Sequence, residues 1–172
     1  MGWMMHVEAL QWVSYSYNKN KRTEDKIKVL EFGSLDINGS VRSILEPLSD
    51  VYIGVDMQEG PGVDVVQSAV FYEAQIQFDV VVCCEVFEHT PDWREIISNA
   101  HKSLADGGLF IATMAGEGRN PHSAIDQNPI RDWEYYANVG AWELNRKLKM
   151  FSKHEIDYLA NDLRCWAVKS SD

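Results

Sequence analysis

One short segment constrains the fold of this chain more than any other. The segment from Phe78 to Cys84, FDVVVCC, is almost continuously apolar and rich in β-branched residues. Because a surface strand keeps one polar face, this run predicts a strand that is covered on both faces. Such strands lie in the middle of parallel sheets, whose neighbouring strands are joined by crossover helices. The segment therefore predicts an α/β protein.

The rest of the chain alternates predicted strands with predicted helices. The further predicted strands are Ile27 to Phe32, Val51 to Val55, Val63 to Val66, Leu109 to Met114, His154 to Leu159 and Leu163 to Val168. The predicted helices are Ser40 to Leu45, a segment with Thr90 as N-cap and Pro91 as first residue that stops at Gly107-Gly108, and Ala141 to Phe151. This alternation predicts a doubly wound, Rossmann-like parallel sheet that ends in a hairpin.

The chain is the length of a single domain, 172 residues. We expect residues 1–25 to form an N-terminal helix and a charged connector packed on the domain, which spans residues 26–172. Residues 115–138 show little periodicity, and a loop of this length is often a lid or a substrate loop. The apolar N-terminus lacks a basic start and a cleavage site, so we expect no signal peptide and no membrane span.

Charge and cysteine content narrow the classes of partner. The formal net charge of −10 disfavours binding to polymeric nucleic acid, which needs a basic face. A small-molecule or saccharide substrate is therefore favoured. The three cysteines show no metal-ligand spacing, and buried, reduced thiols suit a cytoplasmic protein.

The loop after the first predicted strand, within VLEFGSLDINGS, has the position of a cofactor loop but fits no phosphate-binding motif. A Walker loop requires a Lys after its second glycine, and here Ser40 and Val41 follow Gly39. A dinucleotide fingerprint requires three glycines in the spacing GxGxxG, and Leu35 stands in the place of the second.

S-adenosylmethionine has no phosphate and fits the loop better. The acidic residues Glu31 and Asp36 suit its ammonium group, Gly33 permits close backbone approach, and Asn38-Gly39 tolerates a positive φ. Asp56 ends the second strand, 25 residues after Glu31, where a carboxylate can accept both ribose hydroxyls. The alternative is that Glu31 and Asp56 only cap strand ends.

Four segments together resemble class I S-adenosylmethionine-dependent methyltransferases, close to the type 11 group and similar to small bacterial and phage-encoded members. They are VLEFGSLDINGSVR, YIGVDMQEGPGVDVV, FDVVVCCEVFEHTPDW and HKSLADGGLFIAT, and the resemblance covers residues 26–169. It implies a seven-stranded sheet with one antiparallel strand and S-adenosylmethionine as cofactor. This chain departs from the family pattern at Leu35 and Ile37, which replace two glycines.

The resemblance also implies a set of cofactor contacts. After the third strand, Gln67-Ser68 stand where many members place an acidic residue against the adenine amino group. Glu85 and Val86 follow the fourth strand and are expected to border the cofactor. The expected cofactor-binding residues are Glu31, Gly33, Ser34, Asp36, Asp56, Met57, Gln67, Ser68, Glu85 and Val86.

The expected chemistry is in-line displacement at the sulfonium methyl group, in which proximity supplies much of the acceleration. Candidate catalytic residues are His89, His122 and Asp126, with His122 as base and Asp126 as its orienter if the pair shares a helical face. Candidate substrate contacts are Tyr135, Tyr136 and Asn138. For each of these residues a purely structural role is the alternative.

The sequence leaves three further questions open. Glu85, His89, His122 and Asp126 offer metal ligands, but their spacing does not demand an ion and we expect none. A second subunit could cover the active site in a homodimer. A non-catalytic cofactor-binding module and an NAD-binding protein are the competing functional hypotheses.

Overall fold

Seven strands form one sheet with helices on both faces. The computed structural model describes residues 7–37, 39–126 and 128–171. The strands are β1 (Ile27–Phe32), β2 (Ser49–Asp56), β3 (Val65–Val66), β4 (Phe78–Cys84), β5 (Leu104–Ala115), β6 (Lys153–Leu159) and β7 (Asp162–Val168). The helices are α1 (Val7–Asn20), α2 (Arg42–Leu45), α3 (Trp93–Ser103) and α4 (Ala141–Leu148), with 3₁₀ turns at Glu46–Leu48 and Phe87–His89.

The strand order is β3-β2-β1-β4-β5-β7-β6. All neighbouring pairs are parallel except those of β7, which is antiparallel to both β5 and β6. The expected seven-stranded, mostly parallel sheet with one antiparallel strand is therefore confirmed. The order of strands reverses between β1 and β4, and open α/β sheets bind ligands outside the carboxyl ends of the strands at such a point.

Strand β4 is buried on both faces, as its composition predicts. Val81 and Cys83 face the core that α3 and α4 cover, whereas Val80 and Val82 face the core that α1 and α2 cover. All four of these side chains are at most 2% exposed. This central strand therefore joins the two hydrophobic cores and places its carboxyl end in the middle of the sheet edge.

Helix α1 packs on the sheet face opposite α3. Its side chains Trp12, Val13 and Tyr17 are buried in the core on that face. The Trp12 indole N–H also donates to the carbonyl of Cys165 in β7, at 3.1 Å. Residues 1–6 of the expected N-terminal unit lie outside the described residues. None of the described helices combines the length and apolar character needed to cross a bilayer.

The predicted start and end of α3 are both wrong. The helix begins at Trp93 with Asp92 as N-cap, because the Thr90 hydroxyl accepts the Asp92 N–H at 3.2 Å in a turn that precedes the helix. It ends at Ser103, and the chain enters β5 at Leu104 without a glycine stop. Gly107, with φ of +69°, instead lies in the irregular part of β5, where the pairing register with β4 shifts.

Other predicted boundaries differ by a few residues. Strand β3 is only two residues long. The residue before it, Asp64, accepts hydrogen bonds through its carboxylate from the Gly54 N–H, at 2.7 Å, and from the Arg42 guanidinium. The closing hairpin turns at Ala160 and Asn161, both with positive φ, as a two-residue turn of the mirror-image type requires. Between β5 and α4 the described residues form turns and extended backbone without a regular element.

The approach of β2 to its neighbouring loops leaves no space at Gly54. A Cβ there would lie 2.1 Å from the Gly62 carbonyl oxygen and 2.6 Å from Ser34 Oγ. We expect Gly54→Ala to lower the free energy of unfolding in urea by about 1–3 kcal/mol or more, because backbone must move. The matched control is Gly60→Ala, whose Cβ would meet only the flexible end of Leu35, at 2.4 Å. Equal losses in the two variants would contradict this explanation.

Candidate active site

A cavity of about 690 Å³ opens at the carboxyl edge of the sheet, beside the point where the strand order reverses. Its volume is in the range of small-molecule and cofactor sites. Six segments build its wall: the loops after β1, β2 and β3, the end of β4 with the turn that follows it, the start of α3, and Ala124 of the long segment after β5. The described lining residues are Gly33, Leu35, Ile37, Gly39, Val55, Asp56, Met57, Gln58, Gln67, Ser68, Ala69, Val70, Phe71, Cys84, Glu85, Val86, His89, Thr90, Asp92, Ile96 and Ala124.

Gly33 brings the first loop against the end of β4. Its φ is +75°, and an added Cβ would lie 2.1 Å from the Val86 side chain. Its N–H donates to the carbonyl of Val55 at 2.9 Å, which also ties the loop to β2. Only glycine can adopt this positive φ without strain and also leave room for the Val86 side chain. Gly39 also has a positive φ, of 116°, while its predicted turn partner Asn38 lies outside the described residues.

Asp56 holds two loops of the cavity wall together. Its Oδ2 accepts the Leu35 N–H at 3.1 Å, and its Oδ1 accepts the Gln58 N–H at 3.0 Å. The carboxylate therefore stays at the wall in a defined orientation, with lone pairs remaining on both oxygens. This is the place and the chemistry that the sequence predicts for a ribose contact.

Three of the expected cofactor residues do not line the cavity. Glu31 is 3% exposed and accepts the Tyr52 hydroxyl at 2.7 Å. Burial raises the pKa of Glu31 to about 7, although the Tyr52 hydrogen bond and the Arg42 charge favour the ionised form. Ser34 is buried as well, and Asp36 accepts the Gly39 N–H at 2.7 Å. In this arrangement Asp36 stabilises the turn of the first loop at Gly39, whereas Glu31 is bonded to β2.

Two largely exposed apolar residues form the entrance of the cavity. Met57 and Phe71 are 73% and 72% exposed, although both line the cavity. Gln67 donates to the Phe71 carbonyl at 3.1 Å, and the Ser68 hydroxyl accepts the Val70 N–H at 3.3 Å. Apolar side chains at a cavity mouth with polar groups between them are typical of a binding site.

Glu85 is the strained residue of the site. Its φ is +57°, a conformation that costs a non-glycine residue about 1–3 kcal/mol. Its carboxylate accepts the Thr113 hydroxyl at 3.0 Å and an Arg119 N–H at 2.7 Å. Arg119 also pairs with Asp162 of β7 at 2.7 Å. Sequence reasoning missed Arg119, because the three members of this ion-pair triad are far apart along the chain.

The long segment after β5 is held to the sheet edge through its backbone. The Asn138 side chain donates to the carbonyls of Gly116 and Arg119, at 2.6 and 3.1 Å. The Ala137 N–H donates to the Glu88 carbonyl at 2.9 Å. Asn138 thus closes the loop on itself, and neither it nor Tyr135 is among the residues that line the cavity. The lid function of this segment stays a prediction.

The His122–Asp126 pair does not lie on a helix. Residues 124–126 form a turn, and the Asp126 carboxylate pairs with Arg131 at 2.5 Å and accepts the Asn128 N–H at 3.1 Å. That Asn128 hydrogen bond, followed by the contact with Arg131, lowers the pKa of Asp126 to about 2. Asp126 therefore serves an ion pair within the loop, away from the cavity wall.

His122 instead joins His89 in a compact cluster. The centroids of the two imidazole rings are 5.0 Å apart, and the Tyr136 ring lies 5.5 Å from His89 and 5.1 Å from His122. Burial, with help from His122, lowers the pKa of His89 to about 4, so its ring is neutral at pH 7. His89 is the member of this cluster that lines the cavity.

Glu88 lies beneath this cluster and is fully buried. Burial first, then the charge of Glu85, raises its pKa to about 8. The sequence places Glu88 beside His89, but its burial follows only from the 3₁₀ turn Phe87–His89. Burial of a carboxyl group without a charged partner is costly, and such groups mark functional sites.

The fold and the cavity define a class I methyltransferase domain. Residues 9–163 match a family model described as "Methyltransferase domain". The match covers most of the chain, so the chain belongs to this family. The expected resemblance to class I S-adenosylmethionine-dependent methyltransferases is thereby confirmed.

The curated relatives share only part of their length with this chain. A ubiquinone biosynthesis O-methyltransferase of Psychrobacter cryohalolentis is 34% identical over 94 residues, which are 50% of this chain and 32% of the relative. The corresponding protein of Pseudomonas entomophila is 34% identical over 89 residues, 42% of this chain and 37% of the relative. The chain thus matches about a third of the length of these relatives.

Solved methyltransferase structures share the fold at low sequence identity. The 1,6-didemethyltoxoflavin-N1-methyltransferase of Burkholderia thailandensis, with its substrate and S-adenosylhomocysteine bound, has a TM-score of 0.71 at 14% identity, covering 94% of this chain and 78% of that chain. Magnesium protoporphyrin IX methyltransferase from Synechocystis, with S-adenosylhomocysteine bound, has a TM-score of 0.68 at 14% identity, covering 96% and 83%.

Glu31 gives the stability of the protein a pH dependence of definite sign. Between its usual pKa of 4.5 and its folded value of about 7, the folded state keeps a proton that the unfolded state releases. The Glu31 contribution to the free energy of unfolding therefore falls as pH rises through this window, by on the order of 3 kcal/mol, and is constant above it. In Glu31→Gln, which can still accept the Tyr52 hydroxyl, we expect this contribution to disappear, while those of Glu88 and His89 remain.

Urea unfolding at several pH values between about 4.5 and 8 measures the slope. The matched control is Glu73→Gln at an exposed position, which removes one carboxylate without touching the site. If wild type and Glu31→Gln lose stability in parallel across the window, Glu31 does not hold the extra proton.

Proposed function

We propose that this domain binds S-adenosylmethionine in the cavity and transfers its methyl group to a hydroxyl oxygen of a small-molecule acceptor. The main support for the proposal is the cavity. The loops after β1 and β2 bring Gly33 and Asp56 to its wall, and the turn before α3 brings His89 to the same cavity. A cofactor and an acceptor can therefore meet in one space, which in-line displacement requires.

The cofactor end has the groups that a nucleoside with an amino-acid tail requires. The Asp56 carboxylate is oriented by two backbone N–H donors and can accept the ribose hydroxyls. Met57 and Phe71 offer apolar surface for the adenine, beside the polar Gln67. The methionine end would then lie at Gly33 and Glu85, both of which line the cavity.

The acceptor end is formed by His89, Thr90, Asp92, Ile96 and Ala124. The His89 ring is neutral at pH 7 and lines this part of the cavity. The apolar side chains of Ile96 and Ala124 favour an acceptor with an apolar body over a saccharide. An oxygen acceptor also agrees with the names of the curated relatives, which are O-methyltransferases.

Replacing Asp56 tests the cofactor end. We expect Asp56→Ala to weaken S-adenosylhomocysteine binding by more than about 100-fold, since two hydrogen bonds to a charged group contribute about 1.5–3 kcal/mol each. Isothermal titration calorimetry measures the affinity, and Asp50→Ala, at the exposed start of the same strand, is the control. Circular dichroism confirms the fold of each variant. Affinity within a few-fold of wild type in Asp56→Ala would place the ribose elsewhere.

An acceptor panel tests the reaction. The full chain is incubated with S-adenosylmethionine and, in separate reactions, with phenolic, catecholic, saccharide and amine compounds, and S-adenosylhomocysteine release is measured. We expect turnover with hydroxyl-bearing aromatic acceptors, and loss of that turnover in Asp56→Ala. Turnover with amines alone would overturn the oxygen assignment. Cofactor binding without turnover on any class would favour the non-catalytic module.

A further inference from the structure

The side chains of Glu88, His89 and His122 converge at one point beside the cavity. Each offers one ligand atom, a carboxylate oxygen or an imidazole nitrogen, and these atoms lie within 4.8 Å of one another. Around an ion with ligands at about 2.1 Å, tetrahedral ligand atoms are about 3.4 Å apart. The cluster would therefore close on an ion through side-chain movements on the order of 1 Å.

We infer that Glu88, His89 and His122 form a binding site for a divalent transition-metal ion of the zinc type. The spacing of these residues in the sequence predicted no metal, and the set of ligands weighed there included Glu85 and Asp126. The structure instead engages Glu85 with Arg119 and Asp126 with Arg131. It brings Glu88, which the sequence did not single out as a ligand, to the two histidines.

The state of Glu88 supports the inference most strongly. Its side chain is 0% exposed, and neither carboxylate oxygen forms a hydrogen bond of regular geometry with the described residues; the backbone N–H groups of Glu88 and Ala115 lie near enough to favour its charged form. Buried polar groups are normally paired, because an unpaired one loses its hydration without compensation. A metal ion would satisfy both oxygens, or one oxygen and the charge, which no donor of regular geometry among the described residues does.

The two imidazoles are arranged as ligands of one ion. His89 Nε2 is buried and has no hydrogen-bond partner among the described residues. His122 Nδ1 lies 3.2 Å from the Asn120 carbonyl oxygen, which only a protonated Nδ1 can bond. The lone pair of His122 is then on Nε2. A backbone carbonyl that holds the far nitrogen in this way is the common support of a metal-binding histidine.

The donor set identifies the class of ion. Two imidazole nitrogens and one carboxylate oxygen suit Zn²⁺, Co²⁺ or Fe²⁺, whereas Mg²⁺ and Ca²⁺ prefer oxygen ligands only. Three protein ligands leave a fourth position open for water or an acceptor oxygen. Because His89 lines the cavity, the ion would lie at its acceptor end. Ion binding itself does not depend on the proposed methyl transfer.

Metal titration of the full chain tests the site. Chelator-treated protein is titrated with Co²⁺, followed by its visible absorption, and then with Zn²⁺ in competition. We expect one ion per chain, with displacement of Co²⁺ by Zn²⁺. Glu88→Gln and His122→Ala should each weaken binding by more than about 100-fold, the largest loss usual for outer-shell partners. The matched control is His154→Ala, because His154 lies in β6 and pairs with Asn145.

Two results would overturn the inference. One is the absence of stoichiometric uptake by the folded wild-type chain. The other is uptake that Glu88→Gln and His122→Ala leave unchanged, which would place the ion at another group. If Glu88→Gln does not fold, His122→Ala decides alone, since His122 lies in the long loop. S-adenosylhomocysteine binding is measured in the same samples, so that a failure of the cofactor proposal is distinguished from a failure of the metal site.

Discussion

The contact between the first loop and the end of β4 is the constraint on which the site depends. Gly33 lies against Val86 so closely that no side chain fits between them. This contact closes the crevice where the strand order reverses, between β1 and β4. The same loop is held from the other side by Val55 and Asp56 of β2. The cavity therefore has a wall built by three adjacent strand ends, at the place where an open α/β sheet binds its ligand.

A second set of interactions fixes the opposite side of the cavity. Arg119 binds Glu85 at the end of β4 and Asp162 at the start of β7, and all three side chains are largely buried. Buried ion pairs are costly to break, so this triad ties the long loop to the sheet. Asn138 holds the same loop through its backbone. The loop that carries His122 is thereby fixed to the strand end beside His89, which makes a site shared by the two segments possible.

The parts of the structure that local patterns encode were predicted well. The two-sided burial of β4 and the closing hairpin follow from apolar runs and turn residues, and the seven-stranded, mostly parallel sheet follows from the family resemblance. Helix ends were predicted less well, because the Thr90 turn and the irregular part of β5 depend on hydrogen bonds and pairing register that no periodicity reveals. Seven of the ten expected cofactor residues, among them Gly33, Asp56 and Glu85, line the cavity, whereas Glu31 is buried and bonded by Tyr52.

The sequence by itself determined the class of the protein and the edge of the sheet at which its site lies. Both follow from local sequence patterns, because the order of strands and loops along the chain does not depend on how they pack. Only the tertiary structure decided which side chains meet. His89 and His122 are 33 residues apart, and Glu88 is buried beneath them although it is charged in isolation. Their meeting depends on the path of a loop without regular structure, and a loop's path is set by long-range contacts rather than by its own composition.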